Sequence, residues 1–437
     1  MTIVAVGVLL ALGFALVVPR MRRGDFRYRD VLLFTVAFTL PLRNISLLTV
    51  AGGNVRLGDL VILIAAGTLA FELVFGVVRV RLTQTHVLLI LFVAWCFCTI
   101  VWSLDPRFGV TRSLKYLRDL LLFGFAAAWS YGRFDRALRV VSAGVLVSFA
   151  LIYPLAMLSA SERLAQLTFG RQPGRDLSIL RGEGGIGPVT YAPEATVIEV
   201  AFWTNIAIWL LLSQGGWMAG SRVKRAVFWL AMFALLSLEV MTFSRGLWLA
   251  LGVAGVLWLV WIGPGVRRPL LIGIALIAIA ASAAAYRLDL HRMLARRVAS
   301  FVAGDADLAI SLRFKSWKAS IDALETRPMG VGIGGTKVAV ERKGGIWFVH
   351  NLYLQLLAEL GPIGFALALG ALLLSFARAR IAAGCAADPH LRVAAASIAA
   401  AIVSYLVLGL VYLDFADLEI WLLLAFATSL PPCPSRS

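Results

Sequence analysis

The chain is cut into apolar blocks about as long as a bilayer core is thick, and about 20 apolar residues in a row is what a spanning helix needs. They fall roughly at 2–18, 31–50, 59–79, 87–103, 117–131, 139–158, 195–213, 225–243, 246–262, 269–286, 361–378, 392–412 and 417–430. Lipid offers the backbone no hydrogen-bond partner, so only helices and closed barrels cross it. Barrel strands would alternate in short segments, and these blocks run on without alternating. The expected fold is therefore all-α, a polytopic transmembrane protein of about 12 spans. Composition agrees: 60% of the 437 residues are hydrophobic and 15% are charged, more apolar surface than a soluble domain of this length buries. The first block has no basic residue before it and Arg20, Arg22 and Arg23 after it, which reads as a retained helix and not a cleaved signal.

Orientation follows the short basic connections "PRMRRGDFRYR", "RVRLTQTH", "YGRFDRALR", "SRVKR", "GVRRP" and "ARARIAAG". They fall at every second connection, so the positive-inside rule places all of them in the cytoplasm. The other connections then face outward: 104–116, 159–194, the tight "TFSRG" turn and 287–350. The expected organisation is one integral membrane domain, with helices over 1–286 that include a shorter outer loop near 159–194, a large outer loop over 287–350, and further helices over 351–437. The large loop carries 11 Lys/Arg and 6 Asp/Glu, and long loops are usually functional. It reads either as an anion-binding surface or as a solvated loop. No internal repeat suggests duplicated transporter halves. The four cysteines suggest no framework. Cys96 and Cys98 sit in an apolar block, Cys385 and Cys433 lie far apart in sequence, and all four are expected as small hydrophobes or free thiols.

Within the large loop, 307–326 has helical periodicity, with Ile310, Leu312, Trp317, Ile321 and Leu324 on an apolar side and Arg313 one turn from Trp317. Pro328 ends that helix, and Gly330, Gly332, Gly334 and Gly335 follow. Glycines there are turn residues, or a backbone cradle for phosphate. The pair Asp305 and Asp307 reads as a helix cap sooner than as metal ligands, and no histidine or further carboxylate stands beside it. No metal and no cofactor are expected.

Of the four histidines, His350 alone sits where an outer loop meets an apolar helix, in "WFVHNLYLQLLAELGPIG". Asn351, Gln355 and Glu359 follow at steps of four. A partly desolvated histidine beside arginines stays neutral near pH 7 and can accept a proton, as a general base must. Helix capping by the His-Asn pair is the equal alternative. Arg245 stands at an outer turn between apolar blocks, where a charge is costly without a task. Arg313 opens the amphipathic helix, and Arg171, Arg175 and Arg181 crowd the shorter outer loop. Guanidinium forks suit a diphosphate; snorkelling to lipid headgroups is the bland alternative for each. Trp317, Trp347 and Tyr353 form an interfacial belt or stack on sugars, the belt being the default.

In order, "TFSRGLW", "SLRFKSWKASIDALETRPMGVGIGG" and "HNLYLQLLAELGPIGF" resemble the shared domain of the O-antigen ligase and O-antigen polymerase superfamily, over about residues 241–365. The resemblance implies an inner-membrane glycosyltransferase of GT-C-like fold with a large helical periplasmic loop, its active site facing the periplasm. It implies metal-independent, inverting transfer of a glycan from undecaprenyl diphosphate to a sugar hydroxyl of lipid A–core. It also implies essential roles for His350, Arg245 and Arg313, with Asn351, Tyr353, Gln355, Glu359 and Trp317 in support. The expected partners are the lipid-linked donor, lipid A–core and membrane lipids, with no nucleic acid. The ligase is favoured. A polymerase of the same superfamily is the nearer alternative. A lipid or solute transporter, to which Glu72 and Glu239 inside apolar blocks would point, is the more distant one.

Overall fold

The computed structural model describes residues 28–40, 46–50, 53–76, 78, 80–168, 193–214, 221–241, 245–264, 308–343, 349–411, 415 and 417–433, with scattered positions between 267 and 279. Side chains in the hairpin and in parts of some helices lie outside that description. In chain order the elements are α1 (Tyr28–Thr39), β1 (Ser46–Val50), β2 (Gly53–Arg56), α2 (Leu57–Val74), α3 (Gln84–Thr99), α4 (Pro106–Ser130), α5 (Phe134–Thr168), α6 (Pro193–Ser213), α7 (Arg222–Met241), α8 (Arg245–Trp261), α9 (Leu308–Thr326), α10 (Thr336–Glu341), α11 (Leu352–Cys385), α12 (Pro389–Gly409) and α13 (Leu418–Ser429). Four segments are long and apolar enough to cross a bilayer: α2, α3 with its following turn to Trp102, α11 and α12. Shorter apolar helices at Phe202–Ser213, Gly246–Trp261 and Leu418–Ser429 accompany them. The protein is a helical membrane protein.

Three expectations are corrected. The block 31–50 is not one helix. Pro41 brings a residue that cannot donate and that disfavours helix before it, and β1 pairs antiparallel with β2, Val50 opposite Gly53. Among the described residues the regular elements are thus helices apart from this short hairpin. Residues 106–116, expected in a connection, open α4, where Asp105 caps the helix by accepting from the Phe108 amide at 3.0 Å. Cys385 and Cys433, expected as free thiols, are bridged, with Cα atoms 5.9 Å apart. The chain leaves the end of α11 and returns there after α12 and α13, so their distance in sequence is no guide to their distance in space.

The chain divides into two compact units. The first comprises 1–67 and 133–248. There α1 packs on α5, and Arg136 meets Asp30 at 2.7 Å. Glu239, in α7, accepts from Asn205 at 3.5 Å, and Asn205 in turn accepts from the Trp209 indole at 3.1 Å.

The second unit comprises 68–132 and 249–437. Its core is aromatic: Phe92, Tyr116, Phe415 and Trp421 are all buried, with Phe92 edge-on to Tyr116 and to Phe415 at 5.1 Å each. Glu72 accepts from the Trp129 indole at 2.8 Å. Both glutamates that hinted at a transporter therefore have structural partners.

The helix α11 is broken at Gly361, whose φ of 65° and ψ of −172° are not helical. Pro362 follows. It has no N–H to give the carbonyl four residues back, that of Ala358. The Val331 amide supplies the bond instead, at 2.8 Å, and the Trp95 indole satisfies the next exposed carbonyl, that of Leu360, at 2.8 Å. Val331 lies in the glycine-rich turn, which is threaded between this break and the start of α4. Ser103 donates to the Ile333 carbonyl at 2.7 Å, the Ile333 amide donates to Thr99, and the Val331 carbonyl accepts from the Leu104 amide at 3.1 Å. Val331, Gly332, Ile333, Gly334 and Gly335 are all buried. The glycines here serve close packing, as the turn reading expects. Gly332 has φ +81°, and a Cβ on it would collide with the Ser103 backbone.

Gly332→Ala should therefore destabilise the protein, by about 1–2 kcal/mol for the left-handed backbone alone and more for the collision. Gly255→Ala, in α8 where a Cβ meets nothing within 4 Å, should be neutral or stabilise by up to about 1 kcal/mol. Unfolding midpoints in detergent compare the two; a Gly332→Ala midpoint equal to wild type would refute the tight threading.

Candidate functional site

His350 precedes α11, and Asn351 is that helix's N-cap. The Asn351 side-chain oxygen accepts from the Leu354 amide at 3.0 Å, while its Nδ2 donates to the Leu410 carbonyl at 3.1 Å. Tyr353 donates to the Leu406 carbonyl at 2.5 Å. Both residues thus fasten the start of α11 to the end of α12. Capping falls to Asn351, and His350 is left one position outside the helix with φ 51°, the sole positive φ among the described non-glycine residues.

The helix α9, expected at 307–326, runs from Leu308 to Thr326. Among its described side chains Ser316, Ala319 and Ser320 are buried. Of the apolar side read from the sequence, Trp317 packs on the core, Leu324 is half-buried, Ile321 is exposed, and the side chains of Ile310 and Leu312 lie outside the described residues. Small side chains let α9 lie close to its neighbours, and Ala319 joins Val340 and Val349 in a small core against which Trp317 and Leu354 pack. The Trp317 indole donates to the Val349 carbonyl at 2.9 Å, immediately before His350. Trp317 is thus a packing and positioning residue. One turn earlier on the same helix, Arg313 lies within electrostatic range of His350. Burial first, and the Arg313 charge second, push the His350 imidazole down to about 4, so it is neutral at pH 7, with a lone pair available for a proton.

Deeper along α11, Glu359 is 2% exposed and pairs with Arg112 of α4 at 2.9 Å. Thr336, the first residue of α10, donates to the same Glu359 oxygen. With its amide oxygen toward Arg112, Gln355 accepts from both terminal nitrogens, at 2.8 and 2.6 Å. This buried network ties α4, α10 and α11 together just before the break at Gly361. Arg112 and Thr336 were not singled out in the sequence. For Arg112 the available signal was its position two turns into a helix opened by Asp105-Pro106, in a stretch that instead reads as a connection.

Arg245 opens α8, and its side chain lies outside what the structure describes. Arg171, Arg175, Arg181 and Trp347 also lie outside the described residues, as do Asp305 and Asp307. Of the predicted set, the structure brings together His350, Arg313, Trp317, Asn351 and Tyr353, with Gln355 and Glu359 in the supporting network.

Residues 230–369 match the family model described as O-antigen ligase. The match covers about a third of the chain and takes in most of the segment that resembles the shared domain of the O-antigen ligase and polymerase superfamily. The matched ligase-type segment contains His350, Arg245, Arg313, Trp317 and the whole Asn351–Glu359 stretch; Arg112 and the arginines of 171–181 fall outside it. No curated protein matches the chain. The match supports a membrane enzyme of O-antigen processing, acting in general on lipid-linked glycans.

Removing one partner of the buried Arg112–Glu359 pair strands the other charge, which typically costs about 3–5 kcal/mol. Arg112→Met should therefore lower the unfolding midpoint markedly, and Arg112→Met with Glu359→Met should recover most of the loss. Strictly additive losses in that double-mutant cycle would show that the two charges do not depend on each other.

Proposed function

We propose that the chain is an inverting glycosyltransferase of GT-C-like fold that transfers O-antigen from undecaprenyl diphosphate to a sugar hydroxyl of lipid A–core. The observation that carries this reading is the neutral His350, held beside Arg313 within the matched ligase segment. In the proposed reaction His350 takes the proton of the acceptor hydroxyl as that oxygen attacks the anomeric carbon. The bond to the diphosphate breaks, and undecaprenyl diphosphate leaves with the bonding electrons. Arg313 and Arg245, with Arg171, Arg175 and Arg181 as further candidates, neutralise that charge in the role a divalent ion would otherwise fill. Both substrates diffuse in the membrane plane. A site at the membrane surface holds them in register, and much of the rate gain comes from that positioning.

The proposed setting is the bacterial inner membrane, with about 12 spans and the His350 end periplasmic. Two signals at the opposite end of α11 bear on this. The basic connections place that end in the cytoplasm. The Cys385–Cys433 bridge, at the same end, would be kept oxidised only outside the cytoplasm. Three of the basic connections meet there, and the proposed orientation rests on that charge signal, with the bridged pair as the observation against it. Labelling of Cys433 in intact cells by a membrane-impermeant thiol reagent, after mild reduction, would reverse the orientation.

Transfer by the purified protein, with lipid-diphosphate-linked glycan, lipid A–core and EDTA, should fall by about 10²–10⁴-fold in His350→Ala, the usual contribution of a general base. Full activity in that variant would sink the base role. Arg245→Lys should also lower transfer, since lysine cannot form the bidentate fork. Chain growth on a second lipid-linked glycan, with no product on core, would identify a polymerase.

The pH dependence has a defined sign. In free enzyme the base is deprotonated down to about pH 4, so kcat/KM should stay level from pH 8 to about 5. A bound diphosphate offsets the Arg313 charge and raises the imidazole, so the acid limb of kcat should lie at higher pH than that of kcat/KM. The opposite order would argue against a diphosphate beside His350. Stability should fall as pH drops from about 6.5 towards 4, because there the unfolded chain binds a proton that the folded site refuses.

A further inference from the structure

Arg378 lies 16 residues beyond Pro362 on the part of α11 that follows the break, roughly 24 Å of helix at about 1.5 Å per residue, towards the end opposite His350. A partly open cavity lies at this end of the second unit, lined by Val80, Arg81, Thr83, His86, Tyr131 and Ser429 among others. It has room inside for one oxygen-sized group, about 10 Å³. None of these residues belongs to the site around His350, and none falls in the matched ligase segment.

The polar groups at the cavity are hydrogen-bond donors or carry positive charge. His86 is 6% exposed. Its Nδ1 accepts from the Thr83 backbone amide at 3.2 Å. A backbone N–H only donates, so in the neutral ring the hydrogen is on Nε2. That buried Nε2 has no hydrogen-bond partner among the described residues. Arg81 donates to the Tyr131 hydroxyl at 3.3 Å, and Arg378 donates to the Leu430 carbonyl at 3.2 Å. The two guanidiniums lie within electrostatic range of each other, and Arg378 within range of His86. Among the described residues, no carboxylate pairs with either arginine. One guanidinium and a stranded N–H donor belong to the lining, a second guanidinium lies within electrostatic range of both, and no described carboxylate pairs with either arginine, so the group that would complete the site is an anion.

We propose that this cavity binds a phosphate group, taking one phosphate oxygen at His86 and others at Arg81, with the nearby Arg378 charge favouring the anion. The position, among the basic connections, suits the headgroup of an anionic phospholipid; a free phosphate has the same chemistry. The Tyr131 hydroxyl, which accepts from Arg81, can donate to a further oxygen. Basic pockets between helix ends are a recurrent way of holding such headgroups.

The test is native mass spectrometry of the full-length protein in neutral detergent. It is titrated separately with phosphatidylglycerol, with phosphatidylcholine and with inorganic phosphate. Wild type should retain phosphatidylglycerol at least tenfold more tightly than phosphatidylcholine, and Arg81→Gln with Arg378→Gln should abolish that preference. Arg222→Gln, which removes an exposed positive charge from α7, should leave it intact. Inorganic phosphate that binds, or displaces the lipid, only when both arginines are present also supports the site and identifies the free anion as sufficient. Equal retention of the two lipids without phosphate binding, or the same loss in Arg222→Gln, would overturn the proposal. Should the double glutamine variant not fold, Arg81→Lys with Arg378→Lys keeps the charges and removes the forks. Its affinity should fall several-fold, and unchanged affinity there would overturn fork-mediated phosphate binding.

Discussion

The break in α11 depends on one borrowed hydrogen bond. Pro362 withholds the donor that the Ala358 carbonyl needs, and the Val331 amide replaces it across space. To bring that amide to the helix, the glycine-rich turn has to run between the start of α4 and the break in α11 with no side chain in the way. That passage fixes where α9 ends and α10 begins. It also sets the first part of α11 apart from the spanning part, so that nine residues after Asn351 form a short helix of their own. The catalytic candidate stands at the head of that short helix, and the buried Arg112–Glu359 pair holds it near its foot.

Much of this was legible in the sequence because periodicity and punctuation report local structure. The amphipathic helix at 308–326, the cap at Asn351, the turn after Pro328 and the resemblance carried by "HNLYLQLLAELGPIGF" all depend on neighbours in the chain. The lowered His350 titration was legible too, from a histidine at a helix mouth with an arginine close in sequence order of elements. What stayed hidden depends on residues far apart in sequence. Arg112 is 247 positions from Glu359, and Cys385 meets Cys433 only because two helices intervene and return. The buried side of α9 was legible only in part. Trp317 packs on the core, but periodicity selects the larger apolar residues, whereas close helix packing also buries Ser316, Ala319 and Ser320 and leaves Ile321 exposed.

The two ends of α11 have different electrostatic characters. Near His350, among the described residues, Arg313 acts on a neutral imidazole. At the far end, Arg81 and His86 line a small opening, with Arg378 in electrostatic range. Between them the helix passes ionisable groups that already have partners, Glu359 with Arg112 and Thr336.

His350 also has a backbone cost. A non-glycine residue at φ 51° sits in a region that L-amino acids enter at a penalty of about 1–2 kcal/mol, although histidine tolerates it better than most. The conformation lets the chain turn sharply from the Val349 carbonyl, held by Trp317, into the cap at Asn351. Glycine would make the same turn without strain. At this position folding favours a residue with no side chain, and the proposed chemistry requires an imidazole. A selection for thermal robustness alone, applied to this protein without a demand for transfer, would therefore be expected to drift towards glycine at 350 and to yield a sturdier chain that no longer catalyses.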